Sequence, residues 1–139
     1  MEPNEMLKLV LLVLLLHFYS DFNLQIGAKL DGMKQKIWWR RQLKKLKMDE
    51  VDAKRYVYDF KCALLIHAFV WSILTFAPLI YFTKSVAGIL VMVVANALIH
   101  AKIDDVKANE YLLNLIEDQV MHIVQIAGTL FLWYRCTQC

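Results

Sequence analysis

Glycine and proline are scarce in this chain of 139 residues, with 4 and 2 respectively. Glycine that sparse leaves no material for a Gly-rich phosphate-cradling loop, and none occurs. The 3 cysteines comprise Cys62 and the pair Cys136 and Cys139. Cys62 lies in an apolar run and reads as packing. The Cys136-x-x-Cys139 spacing, standing alone, is weak evidence for redox or metal chemistry. Cys136 also stands where a prenylation box would place it, but Thr137 and Gln138 are not aliphatic. Repeats and low-complexity tracts are absent, and charge is limited to 21% of residues.

What is present is apolar. Hydrophobic residues make up 59% of the chain and the mean hydropathy is +0.42, above an ordinary soluble domain. The charges concentrate in a connector, where KQKIWWRRQLKKLK (34–47) carries a dense run of Lys and Arg. Oily segments joined by charged connectors predict a polytopic membrane protein. Spans are expected over 6–23, 60–82, 86–104 and 111–134, each able to cross about 30 Å of hydrocarbon as a helix. The fold expected is all-α, one integral membrane domain over 1–139: an antiparallel four-transmembrane-helix bundle with a basic connector at 26–59. The first span has an acidic flank, Glu2 and Glu5, and no small-residue cleavage pattern after Ser20, so it reads as retained.

The positive-inside rule puts the basic connector in the cytoplasm. Trp38 and Trp39 within it could stack on nucleic acid bases, but a cationic segment beside spans answers better to anionic lipid, so no nucleic acid is expected. Lipid is therefore the expected partner, and a second copy of the chain is the other candidate.

Ionisable residues recur inside the spans. Each span holds one histidine: His17, His67, His100 and His122. Three have an aspartate four residues away, and the order alternates: His17…Asp21, His100…Asp104, then Asp118…His122. Residues four apart share a helix face. Because the helices alternate in direction, the reversal cancels and puts every Asp on the connector side of its His. His67, some two turns into its helix, falls at a compatible depth. Four histidines and three aspartates therefore form one layer. Asn96, Gln25 and Gln125 extend those faces, whereas Glu117 and Gln119 adjoin Asp118 but point elsewhere by helical projection.

Intramembrane charge of this kind normally faces the bundle interior and marks function. Imidazole and carboxylate suit a divalent metal, zinc first and manganese or iron as alternatives. His17, His67, His100, His122, Asp21, Asp104 and Asp118 are the candidate ligands, with the three aspartates doubling as catalytic bases or orienting groups. A metal-bound hydroxide near the interface would suit hydrolysis of a lipid or lipid-linked substrate. Three alternatives stand beside it: a proton or ion relay, an interhelical hydrogen-bond network, and a non-enzymatic membrane effector. A channel or transporter would need a polar path beyond the histidines, and 86–95 and 127–134 are almost wholly apolar.

Four blocks in order, HFYSDFNLQ (17–25), ALLIH (63–67), ALIHAKID (97–104) and EDQVMH (117–122), resemble a family of small bacterial and phage integral membrane proteins known as domain of unknown function 3307. The resemblance covers the whole chain and falls on His17, Asp21, Gln25, Asp118, Gln119 and His122, which adds Gln119 to the polar set. It implies a bacterial inner membrane and no particular reaction.

Overall fold

A computed structural model describes residues 2–23, 32–49 and 54–137. Gln25 and Cys139 lie outside the described residues. Those described are helical, without strands: α1 (Pro3–Phe18), α2 (Lys36–Lys45), α3 (Asp59–Thr75), α4 (Ala77–Phe82), α5 (Val86–Asp105) and α6 (Leu115–Thr137). The all-α expectation holds.

Local chemistry sets the boundaries. Pro3 occupies the first turn of α1, where its missing N–H is not needed. The span expected over 60–82 divides at Phe76, because Pro78 has no N–H to offer Leu74 and its ring crowds that carbonyl. Ser85 caps α5 by accepting from the Gly88 N–H at 3.1 Å. The fourth span begins later than expected, at Leu115. There Asn114 Oδ1 accepts from the Ile116 and Glu117 N–H groups while Glu117 Oε2 accepts from the Asn114 N–H, a reciprocal cap. Two π-turns follow α1 and α5 directly, over Tyr19–Asn23 and Val106–Glu110.

α1 packs on α3 and α4, α3 most extensively on α5, and α5 on α6. At one end Trp133 Nε1 donates to Thr83 Oγ1 at 3.0 Å, joining the end of α6 to the α4–α5 turn. At the other, Asn109 Nδ2 donates to the Lys34 carbonyl and the Lys36 N–H donates to Asn109 Oδ1, joining the α5–α6 turn to the connector. An apolar plug of Leu9, Val13, Trp71, Phe76, Leu79 and Ile126 fills the interior toward the first end.

Apolar side chains also cover much of the outside, among them Leu11, Leu15, Ile66, Leu90, Val91 and Val124. α5 with its π-turn, Val86–Glu110, is 25 residues long and contains an 18-residue stretch of mean hydropathy 2.0, long and apolar enough to cross a membrane. Among the described residues it is the one helix that qualifies, so length and hydropathy do not support four spans. Physical reasons are visible for two of them: α3 has 17 residues before Phe76, and α6 carries Glu117, Asp118, Gln119, His122 and Gln125.

Leu79 is fully buried in the plug and Leu90 is exposed on α5. Leu79→Ala should destabilise the protein by about 2–5 kcal/mol, and Leu90→Ala by under about 0.5 kcal/mol, measured by SDS titration in mixed micelles. Equal losses would contradict the packing described.

Candidate functional site

All four histidines converge between the helices, and His17, His100 and His122 are fully buried. His100 occupies the middle. Its Nδ1 lies 3.1 Å from His122 Nδ1, its Nε2 lies 3.2 Å from His67 Nε2, and its ring stacks on Trp71 with centroids 4.0 Å apart. Trp71 also donates from Nε1 to His17 Nδ1 at 3.0 Å. Asp21, Asp104 and Asp118 are buried on the connector side, as the alternating order of the sequence pairs predicts.

Two lysines enter this layer that sequence reasoning left in the basic connector and the α5–α6 turn. Lys34 is buried with its Nζ 2.7 Å from Asp104 Oδ2, and Lys107 places Nζ 2.6 Å from Asp118 Oδ2. Gln119 does not point elsewhere. Its Nε2 donates to Asp21 Oδ2 at 2.7 Å and to Asp118 Oδ2 at 3.1 Å. The π-turn is the reason it meets Asp21: i→i+5 bonding redirects the backbone there, and the Asp21 carboxylate faces α3 and α6. Toward the plug, Asn96 Oδ1 accepts from Gln125 Nε2 and Thr129 Oγ1, a separate side network in which Gln125 Oε1 is buried without a partner.

The contacts between imidazole and carboxylate have an unusual length. His67 Nε2 lies 3.5 Å from Asp104 Oδ2 and 3.8 Å from Asp21 Oδ1. His100 Nε2 lies 3.7 Å from Asp104 Oδ1. His122 Nε2 lies 3.4 Å from Asp104 Oδ1 and 3.5 Å from Asp118 Oδ1. These exceed the usual N–H···O range, and they approach the separation of about 3.3–3.5 Å between ligands sharing one tetrahedral ion at bond lengths of about 2.0–2.2 Å. His122 Nε2 and Asp118 Oδ1 are buried without a hydrogen-bond partner. One ligand atom from each of Asp21, His100, Asp104 and His122 lies within 4.8 Å of all the others, so this group could hold a metal ion.

Proton positions sort the ligands further. Indole N–H only donates, so His17 Nδ1 is an acceptor and neutral His17 carries its proton on Nε2. That imidazole has no lone pair left for an ion, so neutral His17 is not the ligand expected from its spacing, and its buried Nε2 has no hydrogen-bond partner. His100 and His122 meet Nδ1 to Nδ1, so one donates and the other accepts. Both cannot ligate through Nε2 as neutral rings, because both Nδ1 atoms would then carry hydrogen. His67 has no such conflict with His100, since their contact is Nε2 to Nε2. The ring protons allow one of His100 and His122 to ligate through Nε2; with His100 ligating, the set is His67, His100, Asp21 and Asp104, and the His100 Nδ1–H is held by His122, as ligating imidazoles are commonly oriented.

Trp71 was legible at i+4 from His67, and Lys107 at i+3 from Asp104, as neighbours on their helix faces. Lys34 carried no comparable signal. Cys62 and Cys136 are exposed free thiols. Comparison with protein-family models, with curated proteins and with solved structures finds no match.

Lys34 and Asp104 form a buried pair, so Lys34→Met removes the ammonium bonded to that carboxylate and should cost about 3–5 kcal/mol. In an Asp104→Asn background the same change should cost at least about 1.5 kcal/mol less, read as a double-mutant cycle. Additivity within about 0.5 kcal/mol would show that the pair is not coupled.

Proposed function

We propose that this chain is an integral membrane protein whose four long helices cross a bacterial inner membrane, with the basic connector cytoplasmic, and whose buried layer holds one divalent ion, zinc first, for hydrolysis of an amphiphilic substrate. The observation that carries the metal reading is the convergence of His67, His100, Asp21 and Asp104, with buried nitrogen–oxygen separations of 3.5–3.8 Å. They are long for hydrogen bonds and close to the edge of a shared coordination sphere. The membrane reading is supported by polarity running inward: carboxylates, imidazoles and amides are buried while leucines, valines and isoleucines face out. The positive-inside rule supports the orientation, and the family resemblance supports a bacterial setting.

His67 and His100 supply neutral nitrogen ligands, and Asp21 and Asp104 offset the ion's charge. Four such side chains would close a tetrahedral ion, so a bound water, made acidic enough to furnish hydroxide at neutral pH, would need one carboxylate to leave the ion or the ion to take a fifth ligand. Gln119 fixes Asp21 and Asp118 relative to one another. Asp118, with its Oδ1 unpartnered and facing His122, is positioned to accept a proton. His122 locks the His100 tautomer and passes charge to the two aspartates.

A specific contact favours a second reading. Without an ion, the ring contacts align as a donor chain from His67 to His100 to His122 and on to Asp118, a route along which protons could move.

Elemental mass spectrometry of detergent-purified protein separates the two. The expected result is close to one zinc, manganese or iron per chain, falling at least fivefold in His67→Gln and in Asp21→Asn but retained in His17→Gln. Metal-free wild-type protein would overturn the hydrolase and leave the proton chain, which proton flux in liposomes would then measure.

A further inference from the structure

A cavity of about 460 Å³ opens directly onto the His/Asp layer from the connector side. The two π-turns, the start of the connector helix and the start of α6 enclose it. Its polar lining includes Lys34, Lys107 and Gln119, beside Asp21 and Asp104. Its apolar lining includes Phe22, Tyr111 and Leu115, which are exposed at 36%, 69% and 54% and so form a rim. Tyr111 holds a left-handed backbone, φ 57°, in a residue with a bulky side chain. That conformation is uncommon outside glycine and clusters at functional sites.

We propose that this cavity binds the phosphate group of an amphiphile, with Lys34 and Lys107 as its cationic walls. The inference rests on the layer being a metal site for an amphiphilic substrate, and it names the substrate's chemical class. Among the described residues, three carboxylates, Asp21, Asp104 and Asp118, face two ammonium groups, Lys34 and Lys107, in this layer. Once a divalent ion is shared between Asp21 and Asp104, the balance turns positive, and the excess faces the cavity. An anion is the ligand that restores it. A tetrahedral array of oxygens can meet donors from several directions at once, and ammonium groups, compact point charges with three rotatable donors, suit phosphate oxygens. Lys107 is the better placed to turn toward a ligand, because its side chain is 36% exposed although its partner Asp118 is buried.

Size and lining select an amphiphile over free phosphate. A volume of about 460 Å³ exceeds what a bare phosphate fills and lies in the range of sites for small organic ligands. The exposed rim of Phe22, Tyr111 and Leu115 would carry a hydrocarbon chain out into surrounding lipid.

The test is isothermal titration of dodecyl phosphate into the purified full chain in dodecyl maltoside micelles, with metal content measured on the same samples. Inorganic phosphate is titrated in parallel. Wild-type protein should bind one equivalent of dodecyl phosphate saturably, at least tenfold more tightly than inorganic phosphate. Lys107→Gln should weaken that binding at least tenfold. Ala108→Trp, which fills the cavity from its wall and leaves both ion pairs in place, should weaken it similarly with the metal content unchanged. Binding equal in the wild type and both variants would overturn the site. Inorganic phosphate binding as tightly as dodecyl phosphate would overturn the amphiphile. Metal-free wild-type protein that still binds dodecyl phosphate, dependent on Lys107, would sustain the pocket while removing the metal reading.

Discussion

An ionised carboxylate brought into an apolar helix bundle loses several kcal/mol of hydration unless protein groups replace it. Asp21, Asp104 and Asp118 all stand in that position, and much of the surrounding structure answers to them. Lys34 is drawn out of the connector to reach Asp104, Lys107 turns inward to Asp118, and Gln119 bridges two of the three acids. The histidines fill the space behind. They too are held in place: Trp71 stacks on one and donates to another, and their mutual contacts leave little freedom in where the ring protons reside. Acids, bases and aromatic ring form one connected unit in which each member's orientation depends on its neighbours.

The layer itself was legible because it depends only on helix periodicity and alternating direction, both written in the order of the His and Asp pairs. The helix ends were partly legible. Pro78 and the Asn114–Glu117 cap are sequence features with local consequences, yet a hydropathy reading passes over both. The π-turns were not legible, since nothing local in YSDFN or VKANE separates i→i+5 from i→i+4 bonding. That gap concealed the role of Gln119, which a regular helical projection turns away from the acids. Lys34 was hidden differently. Among so many neighbouring basic residues, the one that leaves the surface depends on a partner far away in the chain.

Hydropathy and site chemistry pull against each other in this fold. A helix that contributes several side chains to the buried layer must carry polar residues on its inner face, and those residues lower its average while its outer face stays apolar. α6 is the plainest case: Asp118, His122 and Gln125 are buried while Ile116, Val120 and Val124 are exposed. α5, with a shorter polar stretch near its end, keeps a high average. A whole-helix mean therefore understates how apolar the outward surface is wherever the interior is most elaborate.

The connector's place over the layer has a consequence for how the protein is made. Lys34 pairs with an aspartate 70 residues later, and its carbonyl and the Lys36 N–H are held by Asn109. A ribosome delivers the connector well before either partner, so for much of synthesis the segment has nothing to dock against. Its docking must wait until Asp104 and Asn109 have been made, and the layer is completed only once α6 brings Asp118 and Gln119. Until that moment the acids remain open to water and to solutes on the connector side, which gives a newly made chain an interval in which to acquire whatever it will afterwards enclose.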